Sequence, residues 1–159
     1  MALVHISDYH LGSRSEPFVE VRLSLWSPVA SIPRFVDRLM SLIMARRSAD
    51  GSEIDIEIAL LEALSNAVIH GNHEDPIKPV DVMCRCSADG AVSITIRDHG
   101  TGFDVNAVPD PTTADNRMST PGRGIYLMRA LMDEVWFEEG GTVVHMHKKS
   151  TRPGSIHES

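Results

Sequence analysis

Apolar and polar positions follow a clear period from the first strand onward. Residues 18–25, FVEVRLSL, alternate apolar and polar, which predicts a strand with one buried face. Residues 32–47, IPRFVDRLMSLIMARR, place apolar side chains at helical spacing behind a proline. Residues 53–70 predict a second helix that is apolar nearly all round and therefore buried on more than one side. Residues 1–17 are mixed and polar, and we expect them to form a loose N-terminal arm.

The ends of the second helix carry residues suited to those positions. Ser52 precedes the first turn, where its hydroxyl can act as an N-cap. Gly71 and Asn72 follow the last turn, and both tolerate the left-handed backbone that ends many helices. We therefore expect the helix to stop at these two residues.

The second half of the chain predicts two hairpins separated by a loop and a helix. VDVMCRC (80–86) and AVSITIRD (91–98) flank a Ser-Ala-Asp-Gly turn, and VWFEE and TVVHMHKK flank a Gly-Gly pair. GIYLMRALMDEV (124–135) has one apolar face and predicts a helix. Residues 99–121 lack a period, and a segment of this kind in a compact domain is usually a functional lid or a disordered loop.

This order of elements predicts an α+β fold. Runs of strands set apart from helices favour a two-layer α/β sandwich, with helices on one face of a mixed, mostly antiparallel sheet. A chain of 159 residues suits a single domain. We assign that domain to residues 18–148 and expect a polar tail over 149–159.

Composition narrows the classes of function. Lys plus Arg number 15 and Asp plus Glu 22, a formal charge of −7, which argues against general nucleic-acid binding but permits a local phosphate site. Cys84 and Cys86, two positions apart on one strand face, are poorly placed for a disulfide and are expected as free thiols in a reducing cytoplasm. Neither a signal peptide nor an apolar run long enough to cross a membrane is predicted.

A carboxylate and an amide interrupt the apolar second helix. Glu62 and Asn66 in ALLEALSNAVIHGN stand four residues apart, so they share one helix face. One interpretation is that both bond to nearby backbone or emerge at an edge of the helix. The other is that they line a ligand cavity, where an amide oxygen suits Mg²⁺ and a carboxylate can accept a proton. The helix alone leaves both open.

Two glycine-rich stretches follow. In DHGTGFD, Asp98 ends a strand, and Gly100 and Gly102 permit close backbone approach; an ordinary turn is the alternative. In PGRGIYLM, Gly122 and Gly124 stand just before a helix, whose N-terminus can bind an anion. Arg123 adds a charge there, although glycines before a helix are also common without such a role.

The three stretches together resemble the GHKL superfamily of ATP-binding domains. EALSNAVIHGN, DHGTGFD and GRGIYLMRALMDEV are most similar to bacterial anti-sigma factor serine-protein kinases of partner-switching systems. The resemblance covers about residues 18–148. It identifies the N box as Glu62 and Asn66, the G1 box as Asp98, Gly100 and Gly102, and the G2 box as Gly122 and Gly124.

The resemblance implies a role for each residue of the N and G1 boxes. Asn66 would hold the Mg²⁺ that bridges the ATP phosphates, and Glu62 would be the general base on an attacking serine hydroxyl. Asp98 would accept a hydrogen bond from the adenine amine. Gly100 and Gly102 would let the backbone close over the nucleotide.

The resemblance also implies an ATP lid over 103–121 and a phosphate cradle of Gly122, Arg123 and Gly124. The protein would be a cytoplasmic serine/threonine kinase and anti-sigma factor. Its partners would be an anti-sigma factor antagonist, a sigma factor and a second copy of itself. An alternative is an ATP-gated protein-binding module without phosphotransfer. The catalytic half of a histidine kinase, or a gyrase-like or chaperone-like ATPase, would need segments for which this chain has no room.

Other polar residues are weighed against the same site. His70 and His73 lack a third and fourth ligand for zinc, and His70 is expected at the nucleotide edge instead. Asn72 is expected to line the same region. His99 is expected to point away from Asp98, and Arg117 could contact phosphate when the lid closes.

Overall fold

Six antiparallel strands form the sheet on which the rest of the domain packs. The structure is a computed structural model that describes residues 4–9, 18–26, 28–46, 48–107 and 120–151. Every strand pairing among these residues is antiparallel, in the order β1-β2-β3-β4-β6-β5, so the predicted α+β class is confirmed. The strands are β1 Val4–Tyr9, β2 Phe18–Leu25, β3 Val80–Ser87, β4 Val92–Arg97, β5 Glu134–Glu138 and β6 Val143–Lys148.

One face of the sheet is apolar because the strand registers align their buried positions. A continuous row crosses five strands, in which each residue lies opposite the next, and Cys84 within it is a free thiol. Cross-strand apolar pairs of this kind are the unit of sheet stabilisation. The row consists of Val21, Cys84, Ile94, Met146 and Val135.

Among the residues that the structure describes, three α-helices cover this apolar face. They are α1 Ile32–Ala45, α2 Glu53–Ser65 and α3 Thr120–Leu131, and α2 packs against both α1 and α3. This central position explains why α2 is apolar on more than one side, since it must contact the sheet and two helices. None of the described helices is both long and apolar enough to cross a membrane.

The end of α2 differs from the prediction. The helix widens into a π-helical turn over Asn66–Gly71, closed by a hydrogen bond from Asn72 N–H to the Ala67 carbonyl at 2.8 Å. The left-handed residues are His73 (φ 53°) and Glu74 (φ 57°), so the expected left-handed end at Gly71 and Asn72 is wrong. A second hydrogen bond, from Glu74 N–H to the Val68 carbonyl at 2.8 Å, also closes the end of the helix.

Residues at both ends of the chain form hydrogen bonds with the rest of the domain. Val4–Tyr9 pair with β2, so these residues are a sheet strand and not a loose arm; β2 offers them an unpaired edge. At the other end, Lys149 N–H donates to Asp133 Oδ2 at 2.6 Å, and Thr151 Oγ1 donates to the Asp50 carbonyl at 2.5 Å. Residues 1–3 and 10–17 of the arm, and 152–159 of the tail, lie outside the described residues.

The helix-free face of the sheet carries paired polar groups. Ser93 Oγ lies 2.9 Å from His147 Nδ1 on the neighbouring strand. Glu20, only 2% exposed, accepts hydrogen bonds from Arg22 Nε at 2.7 Å and from an Arg85 guanidinium N–H at 2.8 Å. Burial alone would raise the pKa of Glu20, but these bonds from Arg85 and Arg22 hold it below its ordinary value.

We predict that Glu20→Gln lowers the free energy of unfolding at pH 7 by about 1 kcal/mol, because Gln accepts weaker hydrogen bonds from the two partly exposed arginines. The depressed pKa means that the carboxylate stabilises the fold above the ordinary glutamate pKa. This contribution disappears as the pH falls through the folded-state pKa. Urea unfolding of both proteins at several pH values measures the difference.

Glu134→Gln is the control, because Glu134 is exposed on β5 and lies 3.9 Å from Lys149 Nζ. It should change stability little at any of these pH values. A stability difference for Glu20→Gln that stays constant down to acidic pH would contradict the role of the charge.

Candidate functional site

A cavity of about 310 Å³ lies where β4, β6, α2 and α3 meet. Its volume is at the lower end of the range for small-ligand pockets. The N box on α2, the G1 box after β4 and the G2 box on α3 all contribute to the cavity wall or lie next to it. The wall is formed by Ala63, Asn66, Ala67, His70, Gly71, Ile96, Asp98, Gly102, Phe103, Asp104, Ala107, Ile125, Met128, Phe137, Gly141, Thr142 and Val144.

Most of the cavity wall is apolar. Ile96 and Val144 come from neighbouring strands, and Ile125 and Met128 come from α3. Phe103 and Phe137 meet edge to face, with ring centroids 5.7 Å apart and an interplanar angle of 77°. Such a wall suits a flat, weakly polar ring better than a charged group.

Two carboxylates line the cavity, and because Asp104 is exposed, Asp98 is the more buried of them. It follows β4, and its N–H donates to the Thr142 carbonyl at 2.9 Å. Its Oδ1 accepts a hydrogen bond from Gly100 N–H at 2.9 Å. Burial raises the pKa of Asp98 above its ordinary value, although the Gly100 N–H opposes that shift. A carboxylate that is partly desolvated in this way favours a ligand that donates a hydrogen bond to it.

Glycines allow Asp98 and its turn to pack against backbone. A Cβ on Gly71 would lie 2.3 Å from Asp98 Cγ, and a Cβ on Gly100 would lie 2.0 Å from the Gly71 carbonyl oxygen. Gly102 has φ 80°, and its Cβ would lie 2.2 Å from the carbonyl oxygen of Gly140. The predicted close approach at Gly100 and Gly102 is therefore to the protein's own chain.

Glu62 and Asn66 meet beside the cavity. A Cβ on Gly124 would lie 2.9 Å from Asn66 Nδ2 and 3.0 Å from Glu62 Oε2, so α3 packs directly on this pair through a glycine. Asn66 lines the cavity, and Glu62 stands one turn earlier on α2. Within the described residues neither side chain forms a hydrogen bond, which leaves both available to a ligand or to water.

The glycines before the third helix lie elsewhere than predicted. Because α3 begins at Thr120, Gly122 and Gly124 are buried inside its first turns and do not precede it. Arg123 is exposed and does not line the cavity. The sequence predicted the start of α3 at Gly124, because residues 120–123 have no apolar pattern that would reveal the first turn.

The segment predicted as a lid over 103–121 is described in part. Phe103, Asp104 and Ala107 line the cavity, and Val105–Ala107 form a single 3₁₀ turn. Residues 108–119, which include Arg117, lie outside the described residues.

The histidines and Asn72 have mixed outcomes. His70 lines the cavity, as expected. His99 turns away to Asp81, with 2.9 Å between His99 Nε2 and Asp81 Oδ2. Asn72 is 2% exposed and does not line the cavity, which corrects its prediction. No group of three or more metal-ligating His, Cys, Asp or Glu side chains occurs among the residues that were described.

The β5–β6 hairpin contributes wall residues that sequence reasoning missed. Phe137, Gly141, Thr142 and Val144 all come from this hairpin. The Gly-Gly pair at its turn was the signal available, because Gly140 and Gly141 both have left-handed φ values, 67° and 93°. A Cβ on Gly141 would lie 2.8 Å from the Phe103 carbonyl oxygen, so the turn packs on the start of the lid.

Comparison with known proteins identifies the family of the chain. Residues 25–148 match the model of the histidine kinase-like ATPase domain. The chain is 31% identical to the anti-sigma F factor of Heyndrickxia coagulans over 86% of this chain and 85% of that protein. It is 33% identical to the anti-sigma F factor of Geobacillus thermodenitrificans over 89% and 92%. It is also 29% identical to the serine-protein kinase RsbW of Staphylococcus epidermidis over 84% and 87%.

We predict that Asp98→Asn stabilises the ligand-free protein at pH 7. The raised pKa shows that folding disfavours the charged form, so ionised Asp98 lowers stability above its folded-state pKa. The amide keeps an acceptor for Gly100 N–H and carries no charge. The gain should vanish below the ordinary aspartate pKa, where the wild-type carboxyl is neutral in both states. Thermal unfolding across that pH range measures it.

Asp89→Asn is a matched control, because Asp89 Oδ1 accepts the Ala91 N–H at 2.9 Å in the same turn geometry but outside the cavity. It should give no such gain at pH 7. A melting temperature that falls in Asp98→Asn at pH 7 would contradict the desolvation of this carboxylate.

Proposed function

The chain belongs to the histidine kinase-like ATPase family, and we propose that within it this protein is an ATP-dependent serine/threonine-protein kinase that acts as an anti-sigma factor. One observation carries the proposal. A purine-sized, mostly apolar cavity holds the partly desolvated carboxylate of Asp98 and adjoins an acid–amide pair, Glu62 and Asn66. The resemblance of all three sequence motifs and the names of the relatives support the same function.

The cavity suits the nucleoside part of ATP. Ile96, Met128 and Val144 would pack on the faces of the adenine ring. Asp98 would accept a hydrogen bond from the exocyclic amine, which offsets the cost of burying the carboxylate. The volume of about 310 Å³ accommodates a base and sugar, and the phosphates would extend beyond it toward Asn66.

The residues beside the cavity suit Mg²⁺ and phosphate. An amide oxygen is a ligand that Mg²⁺ accepts together with water and phosphate oxygens, and Asn66 presents an amide without a protein partner among the described residues. When bound, Mg²⁺ would offset the negative charge of the phosphates. The first turn of α3, with Gly122 and Arg123, would supply N–H groups to phosphate oxygens.

Glu62 would take the proton in the transfer step. The serine oxygen of a partner protein attacks the γ-phosphorus, the bond to the ADP oxygen breaks, and the serine proton passes to the Glu62 carboxylate. Gly124 is required for this arrangement, because any side chain there would displace the Glu62 carboxylate or the Asn66 amide. Positioning accounts for most of the catalysis in reactions of this class.

The partners come from the relatives' names and from the resemblance. Two relatives are named anti-sigma F factors, and a sigma factor is therefore the proposed binding partner. Another is named a serine-protein kinase, and the proposed phosphate acceptor is an anti-sigma factor antagonist. We also propose that the protein is a homodimer. It would act in the cytoplasm, where transcription takes place.

We predict that ATP binds with an affinity that depends on Mg²⁺, and that Asp98→Asn weakens binding by about tenfold or more through loss of a charged acceptor. Isothermal titration calorimetry with and without Mg²⁺ measures both effects. Asp89→Asn serves again as the control and should bind ATP like wild type. The proposal fails if wild type shows no binding at millimolar ATP, equivalent to a free energy weaker than about −4 kcal/mol.

We predict that Glu62→Gln slows phosphate transfer to a purified antagonist by about 100-fold or more, because the amide cannot accept the serine proton. ATP affinity should change much less. Glu57→Gln, on the same helix but away from the cavity wall, should transfer phosphate normally. Transfer of radiolabelled γ-phosphate provides the rate.

The alternative function, ATP-gated protein binding without phosphotransfer, has a distinct outcome in the same assay. In that case wild type would bind the sigma factor or antagonist only with ATP but transfer no phosphate. Undiminished transfer by Glu62→Gln would instead exclude Glu62 as the base while leaving the kinase activity intact.

A further inference from the structure

Asn72 is a buried polar residue for which the proposed mechanism has no use. It is 2% exposed, lies behind the cavity and follows the π-helical turn Asn66–Gly71. Its side chain is fully engaged. Oδ1 accepts a hydrogen bond from His99 N–H at 2.7 Å, and Nδ2 donates to the carbonyls of Lys78 and Pro79 at 3.1 and 3.0 Å.

These three bonds join segments that are distant in sequence. The side-chain carbonyl oxygen of Asn72 binds His99, the residue after Asp98. The Asn72 NH₂ group binds Lys78 and Pro79, in the loop that leads into β3. An asparagine suits this place because only an amide offers one acceptor and two donors in a plane. The two sides can therefore be separated by substitution.

The bond to His99 bears directly on Asp98. β4 ends at Arg97, so the strand ladder no longer fixes the peptide between Asp98 and His99. That peptide is planar, and a hydrogen bond to His99 N–H therefore fixes the direction of the Asp98 carbonyl as well. On its other side, Asp98 N–H is bound to the Thr142 carbonyl. The backbone on both sides of Asp98 is therefore held by hydrogen bonds, one to the Thr142 carbonyl and the other to the Asn72 side chain.

We propose that Asn72 is a positioning residue for base recognition. It holds Asp98 so that its carboxylate meets the exocyclic amine of a purine nucleotide, an inference that rests on the proposed function of Asp98. Loss of the acceptor at position 72 should reduce the preference for the 6-amino group. Contacts made elsewhere, by Asn66 and the start of α3, should keep the phosphates bound.

A merely structural role for Asn72 gives different results. If Asn72 only joined the loop to the domain, its loss would lower stability without changing base preference. Asn72→Asp separates the two roles, because a carboxyl keeps an acceptor for His99 N–H but loses at least one donor to the loop. Asn72→Ala removes both sides.

The first measurement needs no nucleotide. Amide hydrogen exchange at His99 should be slow in wild type and in Asn72→Asp, and at least about tenfold faster in Asn72→Ala. Equal protection of His99 in wild type and Asn72→Ala would overturn the proposal. This result is independent of whether the protein binds ATP.

The second measurement is base preference, the ratio of dissociation constants for purine riboside triphosphate, which lacks only the 6-amino group, and ATP. Wild type should prefer ATP by about tenfold or more. Asn72→Asp should keep most of that preference, and Asn72→Ala should lose most of it. Ile43→Val, a buried change in α1, is the control for lost stability and should leave the ratio unchanged.

If Asn72→Ala does not fold, Asn72→Leu removes the same acceptor and fills the volume of the amide. Its comparison with Asn72→Asp, which keeps an acceptor, separates the bond to His99 N–H from the bonds to the loop. A lower preference in Asn72→Leu than in Asn72→Asp supports the proposal. Equal ratios in the two variants, or an unchanged ratio in Asn72→Ala, overturn it.

Wild type that binds neither nucleotide contradicts the proposed function and this inference together. Wild type that binds both nucleotides equally shows that Asp98 does not read the amine, and the inference fails while nucleotide binding stands. A preference in wild type that survives in Asn72→Ala refutes the inference alone.

Discussion

The burial of one carboxylate in an apolar cavity is the constraint on which the site depends. Desolvation raises the pKa of Asp98, so the fold keeps a group there that would be more stable in water. The Gly100 N–H offsets part of that cost from within the turn. Three contacts hold the turn around this carboxylate: Asp98 N–H donates to the Thr142 carbonyl, His99 N–H donates to Asn72 Oδ1, and Gly71 packs against the Asp98 side chain. A ligand that donates a hydrogen bond completes what the protein leaves unsatisfied.

The layer of three helices explains why the acid–amide pair lies in an apolar sequence. α2 is the middle helix, so most of its surface packs on the sheet, α1 or α3. Glu62 and Asn66 occupy the part of that surface opposite Gly124, where the absence of a side chain leaves room for polar groups. The pair therefore stands in a gap between two packed helices and not on a solvent-exposed helix face.

The elements of the fold were predictable because each has a strong local period. β2, β3, β4 and α1 matched within a few residues, since one buried face dictates their alternation. The left-handed backbone of His73 and Glu74 after α2 was not predictable from local sequence, and the buried Asn72 there depends on a contact with His99, far along the chain. The N-terminal strand was missed for the same reason: its partner, β2, supplies the order. The motifs located Asp98 and Asn66 at the cavity, but the hairpin wall around Phe137 has no motif.

The glycine contacts have a consequence for which substitutions the site tolerates. Every substitution of a glycine by another amino acid introduces a Cβ. At Gly71, Gly100 and Gly102 that atom would lie 2.3, 2.0 and 2.2 Å from its nearest neighbour, closer than any packed pair allows. A side chain at any of these positions therefore forces its neighbours to move, and the nearest neighbours of Gly100 and Gly102 are backbone atoms. A second substitution elsewhere cannot make room for that side chain by shortening a neighbouring one, as it can where two side chains meet.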